Sequence, residues 1–210
     1  MRLTIFGGTG PTGRLLINHA VEAGHDVVAY ARTPSKLPTH PNLTAVEGTL
    51  KDEDAIAAAV KGADAVLSVL GPTRDKSDSE TLVEGYRQII AAMHAHGVER
   101  LVAMGTPSMK DPADGRDLRV SALVAAIRLT ARPAYDALVE IGGVIRASGL
   151  KWTVIRLPLL HDGPATASFN ARSIGQKGGL KLSRANAAAY YLAQATATDQ
   201  VGRMPFLTDK

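Results

Sequence analysis

Cysteine is absent from this 210-residue chain, and aromatic residues make up only 4% of it. Without cysteine there is no disulfide, no thiolate nucleophile and no cysteine-based zinc site. The formal net charge of +4 suits an anionic ligand as readily as a nucleic acid. However, few rings are available to stack on bases and no basic helix stands out, so the sequence gives little support to nucleic-acid binding.

Long apolar runs are also missing. The longest candidate, Val120 to Leu129, is interrupted by Arg128 and is far shorter than the roughly 20 residues of a membrane helix. The first apolar run, Leu3–Phe6, already has the length of a strand, so we expect no signal peptide. The composition is ordinary for a globular protein, and the length fits a single domain spanning 1–210. We therefore expect a cytoplasmic protein without membrane or nucleic-acid partners.

What the chain does contain is a glycine-rich turn, GGTGPTG, between that first strand and a helical pattern. Gly7 and Gly8 allow a sharp exit from the strand, and Gly10 lets the backbone approach a pyrophosphate. Gly13 lets the helix pack closely on the strand, and Pro11 suits the first helical turn. Free amides and the positive end of the helix dipole would then face phosphates. The turn predicts a dinucleotide site, the alternative being a tight turn without a ligand.

The rest of the chain alternates between strand and helix patterns. The predicted strands are Leu3–Phe6, Val27–Ala31, Leu43–Glu47, Ala65–Leu70, Leu101–Met104 and Trp152–Arg156. The predicted helices are Pro11–Ala23, Glu53–Val60, Ser79–His96 and Ala134–Ser148. This alternation predicts an α/β fold of the Rossmann type, a doubly wound parallel sheet with helices on both faces. Segments of about 107–133 and 157–182 show no regular pattern and follow strand carboxyl ends, where such sheets bind substrates.

The residues after the second strand indicate which dinucleotide is bound. Folds that prefer NAD usually place Asp or Glu there, to bind the ribose 2′-hydroxyl. This chain has Arg32 instead, followed by Ser35 and Lys36. A guanidinium can bind a 2′-phosphate through two hydrogen bonds, which favours NADP(H) over NAD(H). The alternative is that Arg32 and Lys36 are solvated surface charges.

A Tyr-x-x-x-Lys pair, in which lysine lowers the pKa of a catalytic phenol, is missing. The residues four positions after the five tyrosines are Pro34, Ile90, Val139, Gln194 and Ala195. Oxidation of ordinary alcohols is therefore disfavoured. Hydride transfer to an acceptor that needs little help from a proton donor, such as a flavin or a quinone, is favoured.

Polar residues after the fifth and sixth strands are the candidates for the reacting end of the site. Thr106 and Ser108 could donate hydrogen bonds near a nicotinamide, or simply form a turn. Pro158 would be a rigid wall, or the start of a loop. His161 and Asp162 are adjacent, which is more typical of a surface loop.

The segment Asp117–Arg132 has three interpretations. It could be a lid helix with an arginine facing an acidic substrate, a packed helix with solvated arginines, or an oligomer contact. His94 and His96 are two residues apart on a helix and point in different directions, so we predict no metal site. Trp152 is expected in the core.

Several of these motifs carry a family resemblance. They are GGTGPTG, Arg32, Val46–Gly48, Gly71, Glu84-Gly85, Ile89–Met93, His96–Val98, Ser148–Leu150 and Ser183-Arg184. With them the chain resembles the atypical short-chain dehydrogenase/reductases, in particular the biliverdin IXβ reductase and flavin reductase group, with NmrA-like proteins as neighbours. The likeness covers nearly the whole chain but is weak over about 107–133.

The resemblance implies a monomeric or weakly dimeric NADPH-dependent reductase of flavins or linear tetrapyrroles, with the flavin as substrate rather than bound cofactor. Thr106 stands where the family has a serine and is the one catalytic candidate. Thr49 replaces a frequent Asp, Leu159 replaces a histidine and Asn186 replaces an Asp. The residues expected to bind the cofactor are Gly7, Thr9, Gly10, Pro11, Thr12, Gly13, Arg32, Lys36, Thr49, Leu50, Leu70, Gly71, Gly105, Thr106, Pro158 and Leu159.

Two other functions stay open. NmrA-like proteins suggest an NADP-binding redox sensor without turnover. An NAD(P)-dependent epimerase or dehydratase is disfavoured by the missing Tyr-x-x-x-Lys pair.

Overall fold

A computed structural model describes residues 1–72 and 75–210, which form ten strands and six α-helices. The strands are β1 (Arg2–Phe6), β2 (Asp26–Ala31), β3 (Leu43–Glu47), β4 (Ala65–Ser68), β5 (Arg100–Gly105), β6 (Lys151–Arg156), β7 (Leu159–His161), β8 (Phe169–Arg172), β9 (Lys181–Ser183) and β10 (Phe206–Asp209). The helices are α1 (Pro11–Glu22), α2 (Glu53–Val60), α3 (Lys76–Ala95), α4 (Leu118–Thr130), α5 (Arg132–Ala147) and α6 (Arg184–Ala193).

Eight of the strands form one sheet in the order β3-β2-β1-β4-β5-β6-β10-β8. All neighbours in it are parallel except β10 and β8, which are antiparallel. The first six strands follow the predicted Rossmann order, so the predicted α/β fold is confirmed. Their carboxyl ends form a single edge of the sheet, where open α/β folds bind ligands.

Apolar side chains on both faces of the sheet explain why β1 is a continuous buried run. Leu3 and Ile5 face a core formed with α1 and α6. Phe6 faces the opposite core, formed with α2, α3 and α5. Thr4 is also fully buried, and its hydroxyl donates to the Ala59 carbonyl of α2 over 2.6 Å. Strands of a parallel sheet are covered on both sides in this way.

Capping residues decide where the helices begin. The side chain of Asp52 accepts from the amide of Ala55 at the start of α2. Asp75 accepts from the amides of Ser77 and Asp78, so α3 begins at Lys76 rather than at the predicted Ser79. The apolar pattern begins later than the helix because its first turn is exposed, apart from Ser79. Side-chain caps of this kind satisfy amides that have no partner within the helix.

The expectation of an irregular segment over 157–182 is wrong. This stretch contains β7, β8 and the start of β9, and the final strand β10 was not predicted. These strands have three or four residues each, too few to show a period, and β10 pairs with residues far away in the chain. β4 also ends at Ser68 rather than Leu70, because Val69 and Leu70 leave the strand beside the glycine turn.

The segment Asp117–Arg132 belongs to two helices rather than one. Asp117 caps α4 through the amides of Arg119 and Val120, and Arg132 already begins α5. Only Val120 of α4 is buried. Trp152, which was expected in the core, is only partly buried at its border. Within residues 1–72 and 75–210 no helix is both long and apolar enough to cross a membrane.

Candidate cofactor and acceptor site

Gly7 sits where the turn passes close to the end of β4. Its φ of +86° lies in the left-handed region that favours glycine. A Cβ at this position would also lie 2.9 Å from the carbonyl carbon of Val69. Glycine is therefore required here both by the backbone conformation and by the neighbouring strand.

The other glycines of the turn have different surroundings. A Cβ on Gly13 would collide with the carbonyl oxygen of Gly7, and one on Gly8 would lie 2.6 Å from Cδ1 of Ile17. This is the close helix packing expected of Gly13. A Cβ on Gly10 would make only an ordinary contact, 3.5 Å from the Gly7 oxygen. Protein packing does not demand glycine at Gly10, which leaves space for a ligand to approach the backbone.

The amino end of α1 has the chemistry of an anion site. Gly10 caps the helix in an extended conformation without a side-chain hydrogen bond. Among residues 1–72 and 75–210, no atom accepts a hydrogen bond from the amides of Thr12 and Gly13. Amides at a helix start, together with the helix dipole, bind phosphate groups. The turn therefore fits the pyrophosphate of a dinucleotide.

Arg32 lies beside this turn at the same edge of the sheet. β1 and β2 pair in parallel with Phe6 opposite Tyr30, so the residue two positions after Tyr30 is level with Gly8. Arg32 and Lys36 are exposed, and Lys36 ends a short 3₁₀ turn. In the part of the chain that the structure describes, neither cation has an acidic side chain within salt-bridge distance. Both charges are therefore available to a phosphate group.

Tyr30 fixes the turn that follows β3, a role that the sequence analysis missed. Its hydroxyl donates to the carbonyl of Thr49 over 2.7 Å, and it leaves no room for a Cβ on Gly48. Burial, and secondarily the charge of Asp52, raises the pKa of Tyr30 to about 12, so the hydroxyl stays protonated and able to donate. The available signal was a tyrosine near the end of a buried strand, whose hydroxyl needs a partner.

Leu50 is anchored by α3. A Cβ on Gly85 of that helix would lie 2.8 Å from the Cβ of Leu50. The small residue in the Glu84-Gly85 motif thus lets Leu50 enter between α3 and the turn. Thr49 stays exposed beside it. This packing holds the residues predicted for the adenine side of the cofactor.

Two hydroxyls without partners lie after β5. Oγ1 of Thr106 and Oγ of Ser108 are buried, yet no described residue bonds to either. The amide of Leu157 donates to the carbonyl of Gly105 over 2.9 Å, which joins the ends of β5 and β6 ahead of Pro158. Leu159 follows and is 54% exposed. A buried hydroxyl without a partner costs free energy, so Thr106 fits a site completed by a bound molecule.

An ion pair between Asp114 and Arg156 joins the segment that follows β5 to the end of β6. Arg156 is fully buried at the end of β6, and its guanidinium meets both carboxylate oxygens of Asp114, at 2.5 and 2.7 Å. It also donates to the carbonyl of Met109 over 3.1 Å. Asp114 accepts further bonds from the amides of Asp111 and Ile174.

The bonds to Asp114 decide its protonation state. Burial alone would raise the pKa of Asp114, but the hydrogen bond from Arg156, the two amides and the guanidinium charge together lower it. The carboxylate therefore stays ionised. The ion pair was missed by the sequence analysis, although a charged residue closing an apolar strand was visible at Arg156.

His161 and Asp162 do not pair with each other. Nε2 of His161 lies 2.9 Å from Asp209 of β10, whereas Asp162 binds Arg184 of α6 over 2.6 Å. The buried Asn186 donates to the other oxygen of Asp209 over 2.7 Å. These contacts join β10 to α6. Among the described residues, no group of three or more His, Asp or Glu side chains could hold a metal ion.

Comparison with known proteins identifies the family. A family model described as NAD(P)H-binding matches residues 7–198, which include the glycine turn, Arg32 and Thr106. The chain belongs to this NAD(P)H-binding family. This match confirms the prediction of an NAD(P)-binding Rossmann protein. It begins at Gly7, the first glycine of the turn.

Named relatives of this NAD(P)H-binding protein differ in activity. It is 35% identical to a 3-beta-hydroxysteroid dehydrogenase of Mycolicibacterium neoaurum over 104 residues, which are 50% of this chain and only 28% of that protein. A short-chain dehydrogenase/reductase of Veillonella parvula, solved in complex with NADP, superposes with a TM-score of 0.78 at 18% identity, over 99% of this chain and 94% of that one. An anaerobillin reductase of Escherichia coli O157:H7 superposes with a TM-score of 0.76 at 20% identity, over 100% of this chain and 97% of that one. At these identities the two structures show a shared fold.

Proposed function

We propose that this NAD(P)H-binding protein is an NADPH-dependent reductase that delivers hydride to a flavin or a similarly flat acceptor. One observation carries the proposal. The open amino end of α1, the available cations Arg32 and Lys36, and the unpartnered hydroxyl of Thr106 lie along one edge of the sheet. In the proposal, a 2′-phosphate after β2, a pyrophosphate after β1 and a nicotinamide after β5 follow one another along that edge.

Each part of this edge has a distinct task in the proposal. The backbone from Gly7 to Gly13 binds the pyrophosphate, and Arg32 with Lys36 binds the 2′-phosphate. Thr106 orients the nicotinamide by a hydrogen bond, with Pro158 as a wall beside it. Bound NADPH supplies the hydride, and the protein contributes mainly position and exclusion of water.

The choice of acceptor rests on the missing Tyr-x-x-x-Lys pair. No tyrosine of the chain has a lysine four residues later, so the usual acid–base pair for alcohols and ketones is lacking. The shared fold with a structure named as an anaerobillin reductase supports a flat, conjugated acceptor. The shared fold with a structure in complex with NADP supports the cofactor.

Turnover with a flavin tests the proposal. Purified protein at catalytic concentration should consume NADPH with riboflavin or FMN over many turnovers, and more slowly with NADH. Thr106→Val should lower kcat while NADPH still binds, because the hydroxyl positions the nicotinamide. Tight NADP binding without turnover across a broad acceptor panel would contradict the reductase and favour a redox sensor.

A further inference from the structure

The most exposed leucines of the described chain line one cavity. Leu118 and Leu129 of α4 are 86% and 85% exposed. With Val124 and Tyr135 they form the apolar wall of a cavity of about 1080 Å³, which is also lined by Pro107, the residue after Thr106. Exposed apolar surface gathered in one concave place is typical of a binding site.

Helical spacing explains why α4 presents this wall. The lining residues Leu118, Ser121, Ala125 and Leu129 recur at intervals of three and four, so they share one face of the helix. Three of these four side chains are apolar although the face is exposed. Because only Val120 of α4 is buried, the helix contributes little to the core and much to the cavity.

Positive charge borders the same wall. Lys110, Arg116 and Arg128 line the cavity and are exposed. The guanidinium of Arg128 lies over the ring of Tyr135, 5.8 Å from its centroid. Arg132 also lines the cavity, and its Nε forms an ion pair with Oδ2 of Asp136 over 3.4 Å.

The acidic residues of the lining are engaged within the protein. Asp111 accepts from the amides of Ala113 and Met204. Asp114 holds the buried guanidinium of Arg156, and Asp117 caps α4. Donors of the protein thus occupy these carboxylate oxygens, whereas among the described residues no carboxylate pairs with Lys110, Arg116 or Arg128.

We propose that this cavity binds the hydride acceptor and selects a planar apolar molecule that carries a phosphate or a carboxylate. Arg128, held against Tyr135, is the specificity-determining residue, with Arg116 as a second cation. The inference rests on the proposed function for its link to hydride transfer: Pro107, which lines the cavity, is the next residue after Thr106 in the chain. An apolar wall alone would also suit a second copy of the chain, but three available cations beside it favour an anion.

FMN and riboflavin form a matched pair of probes, since they share the ring and differ by one phosphate. Binding of each to the NADP-saturated protein is measured by quenching of flavin fluorescence, and KM is measured in parallel. Arg128→Gln should weaken FMN binding about tenfold, the usual effect of losing one charge-assisted hydrogen bond, and riboflavin binding less than about twofold. Lys61→Gln removes an exposed cation after α2, outside the cavity lining, and should leave both affinities unchanged. Leu129→Ala should weaken the binding of both flavins, because it removes part of the apolar wall.

The outcomes separate this inference from the proposed function. Equal effects of Arg128→Gln on the binding of FMN and riboflavin would overturn the inference while leaving a working reductase. A loss of FMN affinity in Lys61→Gln as large as that in Arg128→Gln would overturn it as well. A dimer that dissociates on Leu129→Ala would also overturn it, because a second copy would then cover the wall. Selective FMN binding without any turnover would instead contradict the reductase and support the cavity.

Discussion

In the proposed function, Arg32 distinguishes two cofactors that the glycine turn cannot tell apart. NADH and NADPH share the pyrophosphate that the turn and α1 are suited to bind, and they differ only at the ribose 2′ position. In the proposed function, the charge at the end of β2 therefore decides the preference for NADPH. Because Arg32 has no acidic partner among the described residues, its guanidinium need not leave another carboxylate in order to bind a phosphate.

We expect Arg32→Ala to weaken NADPH binding about tenfold or more while changing NADH binding little, since one charge-assisted interaction with the 2′-phosphate is lost. Isothermal titration with both cofactors measures the difference. Lys61→Ala, an exposed cation after α2, is the control and should change neither affinity. If Arg32→Ala weakened both cofactors equally, the assignment of Arg32 to the 2′-phosphate would be wrong.

Two glycines provide a matched test of packing. Gly13→Ala places a methyl group against the carbonyl oxygen of Gly7, which is backbone and cannot move aside cheaply. We expect a loss of about 2 kcal/mol in the free energy of unfolding, with weaker cofactor binding. Gly143→Ala in α5 meets no atom of the described residues within 4 Å and should stabilise the protein by about 0.5–1 kcal/mol. Urea unfolding measures both, and equal stability of the two variants would contradict the close packing of α1 on the turn.

Among the elements, β6 and the segment between β5 and α4 depend on the Asp114–Arg156 ion pair. The guanidinium projects from β6, whereas the carboxylate lies in the segment that leads to α4 and also binds the amide of Ile174 after β8. Three parts of the chain thus meet at one carboxylate. The wall of the proposed acceptor cavity continues directly from this junction, since Asp114, Asp117 and Ile174 all line it.

Asp114→Asn should lower the free energy of unfolding by about 3 kcal/mol, because it leaves a buried guanidinium without its counter-charge. Glu99→Gln removes a carboxylate from an exposed pair with Lys151, at 2.6 Å, and should change stability little. Urea titration compares the two. Similar losses in the free energy of unfolding of the two variants would show that burial does not increase the contribution of the Asp114–Arg156 pair to stability.

The wild-type protein should also lose stability in acid through Asp114. Its folded pKa is lower than the ordinary value of 3.8, so the stabilisation is present above that value and disappears as pH falls towards the folded pKa. Asp114→Asn should lack this part of the acid dependence.

Across the whole molecule, both cores bury tyrosine hydroxyls. Tyr86 of α3 is in one core and Tyr191 of α6 is in the other, and burial raises the pKa of both. The hydroxyl of Ser68 on β4 donates to that of Tyr86 over 2.9 Å. Ionisation of either phenol would place a charge inside an apolar layer, so the fold as a whole should be sensitive to alkali.

We expect the free energy of unfolding to fall between about pH 10 and pH 12. Burial raises the pKa of Tyr86 from its ordinary value of 10.0 to about 12, so the unfolded chain loses this proton first and stability declines as pH rises through that window. Tyr86→Phe should reduce the decline, whereas Tyr135→Phe, at a partly buried tyrosine of α5, is the control. The same alkaline slope in wild type and Tyr86→Phe would contradict the shift.

Much of the architecture could be predicted because it depends on local patterns of the sequence. Six strands and four helices were located from apolar periodicity and glycine ends, and the Rossmann order of β1 to β6 followed from their alternation. The bounds of β3 and α2 agree fully with the prediction. The short strands β7 to β10 could not be found, because three or four residues show no period and their pairing depends on distant segments.

The sequence by itself determined the fold class, the glycine turn and the cation after β2, since each depends on residue types within one short stretch. Only the tertiary structure decided that Arg156 meets Asp114, that Tyr30 holds Thr49 and that Arg128 lies over Tyr135. It also decided that the exposed leucines of α4 face a shared cavity. These contacts join residues from different elements, and where such elements meet is fixed by packing of the whole chain. The glycine turn could therefore be recognised from residues alone, whereas the proposed acceptor cavity needed the assembled fold.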